Sequence, residues 1–338
     1  MSEEKRGVEH IVRETGLSRA TISRALNNCG SVSSEVKAQV IRAAESIRYT
    51  PPQKTRVRRP EGGFLVAAVL PETPAFFWGE AVQGMKAAAA RHPDIRLVYS
   101  LFQRLSNEGD ALYCIDYLLD LKPDVLIAAV PAFESVGKRL LAAELPVIAF
   151  SESGNIRPLF YVGADFYHDG ALLARAAAQH LSPDARIVKI EGERMPMTSL
   201  RDEGFRREMM NLLPRLRWLG PVQTAGWSAA ETPSLLARAL HNADFDALYV
   251  SQGQLPQVMT ALGKLKRTHP VRVVGYERPG GRFAGDSRLA AVMEQDVRHQ
   301  GAMCLEAAWR YLTAGDIPPD RRLLIESRLT AGGKEREP

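Results

Sequence analysis

From Phe64 onward the chain repeats one pattern: a short unbroken apolar run, a polar stretch with helical spacing, then another apolar run. Nine such runs are candidate strands. Four form a first series, FLVAAVL (64–70), IRLVYSL (95–101), DVLIAAV (124–130) and PVIAF (146–150). Five form a second, FYVGAD (160–165), RIVKIEG (186–192), DALYVS (246–251), VRVVGY (271–276) and LAAVME (289–294). Runs that are continuous rather than alternating suit parallel strands covered on both faces. Helical stretches between them, such as 80–91, 170–181 and 301–313, supply those covers. Nine strands in two series predict two doubly wound α/β lobes rather than one sheet. The last helix is expected to return to the first lobe, so that several crossovers join the two.

The first fifty residues follow a different rule. A helix is expected over Val8–Glu14, with Ile11 and Val12 on one side and Gly16 where its end needs a left-handed residue. Ser18 is a good N-cap for a second helix, Arg19–Asn27, in which Ile22 and Leu26 share a face. A third opens after Ser33, with Val36, Val40 and Ile47 spaced for one face. Three short helices with a tight glycine turn make a helix-turn-helix arrangement. Between this head and the first strand lies TPPQKTRVRRPEGG (50–63), a proline-, glycine- and arginine-rich linker that cannot pack a core.

Charge divides at the same boundary. Residues 1–60 carry 12 Lys and Arg against 6 Asp and Glu, whereas residues 61–338 carry 32 against 33. A basic head on a near-neutral body points to an anionic partner for the head alone. The second helix of such a motif enters the DNA major groove with its N-terminal residues at base edges. Here those residues are Arg19, Ala20 and Thr21, with Ser23 and Arg24 behind them. Arg19 or Arg24 fits guanine N7 and O6 as a bidentate donor, and Ala20 fits a thymine methyl. Ser18, Thr21 and Ser23 are of a size to bond phosphates.

Enzyme signatures are missing. The turn after the first strand, PETPAFFWG, has no glycine fingerprint for a dinucleotide, and no phosphate loop, nucleophile elbow or metal-binding helix occurs. Cys29, Cys114 and Cys304 are far apart and odd in number, which predicts no disulfide framework and no zinc site. No cofactor is expected. The start, MSEEKRGVEH, lacks the apolar core of a secretory signal and no run could span a bilayer, so a cytoplasmic location with no membrane partner is expected. Asp165 is expected at a hinge or rim, and His168 as a surface or loop residue.

The head closely resembles the N-terminal domain of the LacI family of bacterial transcriptional regulators. The likeness rests on Ile11, Gly16, Ser18, Thr21, Ile22, Ser23, Arg24, Leu26, Asn27, Val32, Ser33 and Tyr49 before Pro51, with Leu17 in place of the motif's initial valine. The remainder resembles the type I periplasmic-binding-protein-like sensor that the family carries. The resemblance implies base reading by Arg19, Ala20 and Arg24 and contributions from Asn27 and Tyr49. It also implies a homodimer, with a tetramer as the larger alternative, on double-stranded, near-palindromic operator DNA. The family's linker wedges a leucine into the minor groove. This linker has none, so either Val57 takes that part or Lys54, Arg56, Arg58 and Arg59 hold the groove and backbone by charge.

Two lobes of this kind bind a small molecule between them, at the carboxyl ends of the strands. Phe76, Phe77 and Trp78 are expected in a loop after the first strand, and the resemblance gives Phe77, Trp78 and Trp227 as faces that stack on a sugar ring. In TSLRDEGFRREM (198–209) it gives Arg201 as the principal ligand donor. Ser151 or Glu152, Gln252, Glu277 and Gln295 follow at strand ends, where relatives carry Asp, Asn, Asp and Gln. A sugar, a polyol or a sugar acid would suit them, the last by pairing with Arg201.

The expected architecture is therefore a small all-α helix-turn-helix head (1–50), a basic linker (51–62) and an α/β sensor (63–330). Lobe 1 is expected over about 63–160 plus 296–318, and lobe 2 over about 161–295 plus 319–330. The expected function is a ligand-responsive transcriptional repressor of a carbohydrate or polyol operon, with a transporter's solute-binding protein as the alternative and a sugar-modifying enzyme as a third reading.

Overall fold

The computed structural model describes residues 3–26, 33–47, 62–103, 108–152, 154, 156–193, 195–279, 283, 285–331 and 334–335. Contacts divide the chain into a small unit, Met1–Glu61 with Arg310–Asp316, and a large one, Gly62–Trp309 with Ile317–Pro338. The stretch 296–318, expected wholly in lobe 1, is thereby split, because 310–316 groups with the small unit.

In the small unit α1 (Glu3–Thr15), α2 (Arg19–Leu26) and α3 (Ser34–Ser46) form the three expected helices. Gly16, at φ 66°, ends α1 and donates its N–H to the Val12 carbonyl at 2.9 Å. Ser18 starts α2, its Oγ accepting the Thr21 N–H at 3.1 Å. Ile11, Ile22, Ala25, Val40, Ala43 and Ala44 are buried together, with Val12, Leu17 and Ile47 packed at their margin.

The large unit holds two sheets. In the first, β1 (Phe64–Pro71), β2 (Ile95–Phe102), β3 (Val125–Ala128), β4 (Val147–Phe150), β5 (Phe160–Gly163) and β12 (Arg322–Leu324) lie in the order β12-β5-β4-β3-β1-β2, all parallel. The second runs β14 (Lys334–Glu335), β13 (Arg328–Ala331), β11 (Leu289–Glu294), β10 (Arg272–Tyr276), β9 (Ala247–Val250), β6 (Arg186–Glu191) and β7 (Arg217–Trp218), with β8 (Val222–Gln223) also on β6. All nine sequence-derived strands are present.

Two assignments change. Strand β5, read as opening the second series, pairs with β4 through Ile148 and Phe160 and belongs to the first sheet. Residues 319–330, expected in lobe 2, also divide: β12 pairs with β5, while β13 runs antiparallel to β11. An apolar run signals a strand but not its partner, which only backbone pairing fixes. Strand β2 is likewise not covered on both faces. It is the sheet edge, and Tyr99 and Leu101 are exposed on it.

The cleft is built by helices brought unusually close. On α7 (Phe166–Ala178) a methyl at Gly170 would overlap the Arg201 carbonyl oxygen of α8 (Pro196–Leu212). A methyl at Gly204 would overlap the Tyr167 carbonyl oxygen in return. This reciprocal glycine contact sets α8, and hence Arg201, against lobe 2's sheet. In lobe 1, Gly84 of α4 (Ala75–Ala89) and Gly301 of α11 (Val297–Ala314) make the same kind of contact, with the Arg298 and Ala81 carbonyls. Among the described residues no helix is long and apolar enough to cross a membrane.

Candidate DNA-reading helix and effector cleft

Among the described side chains of α2, Ile22 and Ala25 are buried. The described part of that helix is already organised. Ser18 Oγ and Thr21 Oγ1 are 2.9 Å apart, and Arg19 Nη2 donates to Glu9 Oε1 at 2.8 Å. An exposed pair of this kind is worth at most about 1 kcal/mol, so Arg19 can leave Glu9 for a base or phosphate at little cost. The backbone of Ala20, Ser23 and Arg24 lies in α2, while their side chains fall outside what is described. Asn27, Tyr49, Lys54, Arg56, Val57, Arg58 and Arg59 lie outside the described residues altogether.

At the cleft the strand ends converge on Arg201. Its side chain is only 1% exposed. The guanidinium lies 3.9 Å from the Tyr276 ring centre and 5.0 Å from that of Phe166, and Nη2 stands 4.0 Å from Glu277 Oε1. Nε and Nη2 have no hydrogen-bond partner among the described residues. A buried guanidinium with two idle donors is costly unless something polar fills its site. Glu277, past β10, takes φ 60° and accepts a bond from Gln295 Nε2 at 3.1 Å, and Gln295 Oε1 in turn accepts from Gln300 Nε2 at 3.4 Å.

Across from these, Ser151 and Glu152 follow β4, and both are buried. Ser151, at φ 59°, turns the chain, its N–H donating to the Val162 carbonyl at 2.9 Å. Ser151 Oγ and Glu152 Oε1 are unpartnered among the described residues. The sequence left the choice between Ser151 and Glu152 open. Both now present an idle polar atom. Burial pushes the Glu152 carboxyl up to about 7, against the pull of Arg201 and of the Met197 amide at the start of α8. Burial also raises Glu277 and Asp169, and Arg201 opposes it in both.

For Glu152 the sign of the pH effect follows directly. The folded-state value lies above the ordinary 4.5, so its contribution is most favourable below pH 4.5 and is lost as pH rises through about 7. Glu152→Gln should therefore leave acid stability unchanged and stabilise the chain above neutrality by about 3 kcal/mol. Thermal unfolding across that pH range measures it, and a variant of equal stability at every pH would show that the carboxylate is already paired.

The aromatic triplet requires a correction. It is not a loop but the first turn of α4, so its three residues point in different directions. Trp78 is 6% exposed and packs edge-on against Phe77 and, at 5.9 Å, against Phe150. It is part of the lobe's core. Phe76, which sequence reasoning did not select, is 61% exposed. A methyl on Gly253 would lie 3.8 Å from both the Phe76 ring tip and Glu277 Cγ, so this ring reaches the far lobe beside Glu277. Helical phase was the missed signal, since residues two apart lie on opposite faces.

Three other selections are engaged elsewhere. Trp227 is partly buried and packs against lobe 2's core. Gln252 donates from Nε2 to the Glu193 carbonyl and lies against Gly192, tying down the turn before α8. Asp165 caps α7, accepting the His168 N–H at 3.1 Å. Asp169, one turn on and not selected from sequence, is buried and accepts from Ser327 Oγ at 2.7 Å. Among the described residues no group of histidine, cysteine and carboxylate side chains could hold a metal ion.

Known proteins match the same two parts. Residues 9–52 match the family model described as bacterial regulatory proteins, lacI family, and residues 66–316 the one described as periplasmic binding protein domain. The HTH-type transcriptional regulator GntR of Pseudomonas aeruginosa is 26% identical over 60% of this chain and 58% of its own length. The sucrose operon repressor of Lactococcus lactis is 23% identical over 80% of this chain and 82% of its own. A LacI-family transcriptional regulator from Silicibacter pomeroyi matches 97% of this chain and 99% of its own at TM-score 0.63 and 20% identity. A solute-binding protein from Burkholderia graminis, solved with D-arabinose, matches 80% of this chain and 96% of its own at TM-score 0.71 and 16% identity. These two structures share the fold.

Proposed function

The chain belongs to the LacI family of bacterial regulatory proteins, and from that premise we propose that it is a DNA-binding transcriptional repressor controlled by a sugar-like effector held between its two lobes. The observation that carries the effector half is Arg201, buried with idle donors among Glu277, Tyr276 and Phe166 at the carboxyl ends of a doubly wound sheet. The DNA half rests on the capped helix α2 and the excess of basic over acidic residues within the first sixty positions. The relatives' names speak of transcriptional regulators and of a sucrose operon repressor. A sugar operon is the corresponding reading here.

Regulation follows from linkage. An effector that prefers the closed cleft shifts the lobes toward that state, and operator DNA that prefers another state opposes it by the same free energy. The active species is a cytoplasmic homodimer on a near-palindromic operator. Lobe 1 offers a surface for it: Tyr113 and Tyr117 lie one turn apart on α5 (Glu108–Asp120) and are exposed, as are Tyr99 and Leu101 on edge strand β2.

The test is binding to the DNA upstream of the protein's own gene and to a scrambled duplex, with and without candidate sugars. Preference for the upstream DNA that a sugar alters is the expected result. Salt-sensitive binding that is indifferent to sequence would overturn the proposal.

A further inference from the structure

Among the described residues of the cleft, carboxyl groups outnumber cations. Among the described residues three carboxyl groups act with one guanidinium: Glu152 and Asp169 are buried, and the Glu277 side chain is 14% exposed. Arg201 is the cation acting on Glu152 and on Glu277, and Asp169 adds only the exposed His168. Hydrogen bonds within the cleft satisfy part of this. Asp169 accepts from Ser327, Glu277 from Gln295, and Glu152 faces the Met197 amide. Glu152 Oε1 remains without a partner although the residue is 4% exposed. Buried carboxylates are tolerated when a cation or hydrogen bonds compensate them, and otherwise neutralise by taking up a proton.

A ligand changes this balance by its own charge. A sugar acid would add another negative charge between Glu152 and Glu277 and would have to compete with both for Arg201. A neutral sugar would leave the imbalance as it is. An ammonium group would reduce it, donating to Glu152 Oε1 while its neighbouring hydroxyls accept from the idle Arg201 Nε and Nη2. The exposed Phe76 ring beside Glu277 adds a face for ring C–H groups.

We propose that the cleft selects an effector bearing an ammonium group, an amino sugar or amino polyol, over the neutral sugar and over the sugar acid of the same skeleton. This rests on the reading of the cleft as the effector site. The anionic option left open by the sequence is thereby the least favoured.

The experiment is calorimetry on the full-length protein near neutral pH with matched probes: glucosamine, galactosamine and mannosamine, their parent hexoses, and the corresponding aldonic acids. N-acetylglucosamine joins them as a probe that keeps the nitrogen and loses the charge. In at least one skeleton the amine should bind at least tenfold tighter than both counterparts, and the N-acetyl form should fall back to the level of the hexose. Glu152→Gln should bring the ratio of amine to hexose affinity toward one. That ratio stays readable even if absolute affinity changes. If a hexose, an acid or the N-acetyl form binds as well as or better than the amine in every skeleton that binds, this inference is overturned and the cleft reading survives. If no probe binds, both are overturned.

Discussion

Arg201→Ala is expected to abolish the effector response while operator binding persists. Among the described residues the Arg201 guanidinium is the cation acting on Glu152, Glu277 and Asp169 together, and it lies over the Tyr276 ring at 3.9 Å and the Phe166 ring at 5.0 Å. Truncating one partner of a buried charged pair costs about 2–5 kcal/mol in binding, which is roughly thirty- to several-thousand-fold in affinity. The same truncation leaves buried carboxylates uncompensated, so the variant should also melt earlier, and more so above neutral pH than below it. Two measurements keep these effects apart. Operator affinity without effector reports whether the protein is folded, and effector titration of the DNA complex reports the site. Arg201→Lys preserves the charge without the planar fork and should recover stability but little of the response. A full response in Arg201→Ala would mean that the effector sits elsewhere.

Arg24→Ala is expected to weaken operator binding far more than binding to unrelated DNA. A bidentate contact to guanine carries about 1–3 kcal/mol of discrimination, and a dimer reads two half-sites, so the loss approaches roughly 2–6 kcal/mol. Nonspecific binding depends on the count of phosphate contacts and should change little, as should its salt dependence. Filter binding or fluorescence anisotropy against operator and scrambled duplexes gives both numbers. An equal loss on both duplexes would assign Arg24 to the phosphate backbone. Arg19 differs, because its pair with Glu9 has to be given up before it can contribute, and its substitution should cost less.

Much of this was legible in the residues. The head could be read almost helix by helix, since a glycine at a left-handed position, a serine cap and apolar residues at helical spacing are local signals. Each of the nine strands was legible for the same reason. Glu277 and Gln295, read as strand-end residues, are hydrogen-bonded to each other, and Arg201, which the family resemblance supplied, lies 4.0 Å from Glu277. Phe76 was missed and Trp78 misjudged because the start of α4 was read as a loop, where phase carries no meaning. Trp227 and Gln252 lie near strand ends yet are engaged by the core and by a turn.

The sequence by itself determined the elements, their order and the confinement of the excess positive charge to the first sixty residues, for these depend on residue type and spacing along the chain. Tertiary structure decided which sheet received β5 and β12, since a strand's neighbours are chosen by backbone pairing across long separations. It also decided the electrostatics of the cleft. Glu152 and Glu277 stand out in the sequence only as strand-end residues, and Asp169 does not stand out at all. Folding buries Glu152 and Asp169 and brings Glu277 to within 4.0 Å of Arg201, and among the described residues their number relative to that guanidinium becomes the property a ligand meets.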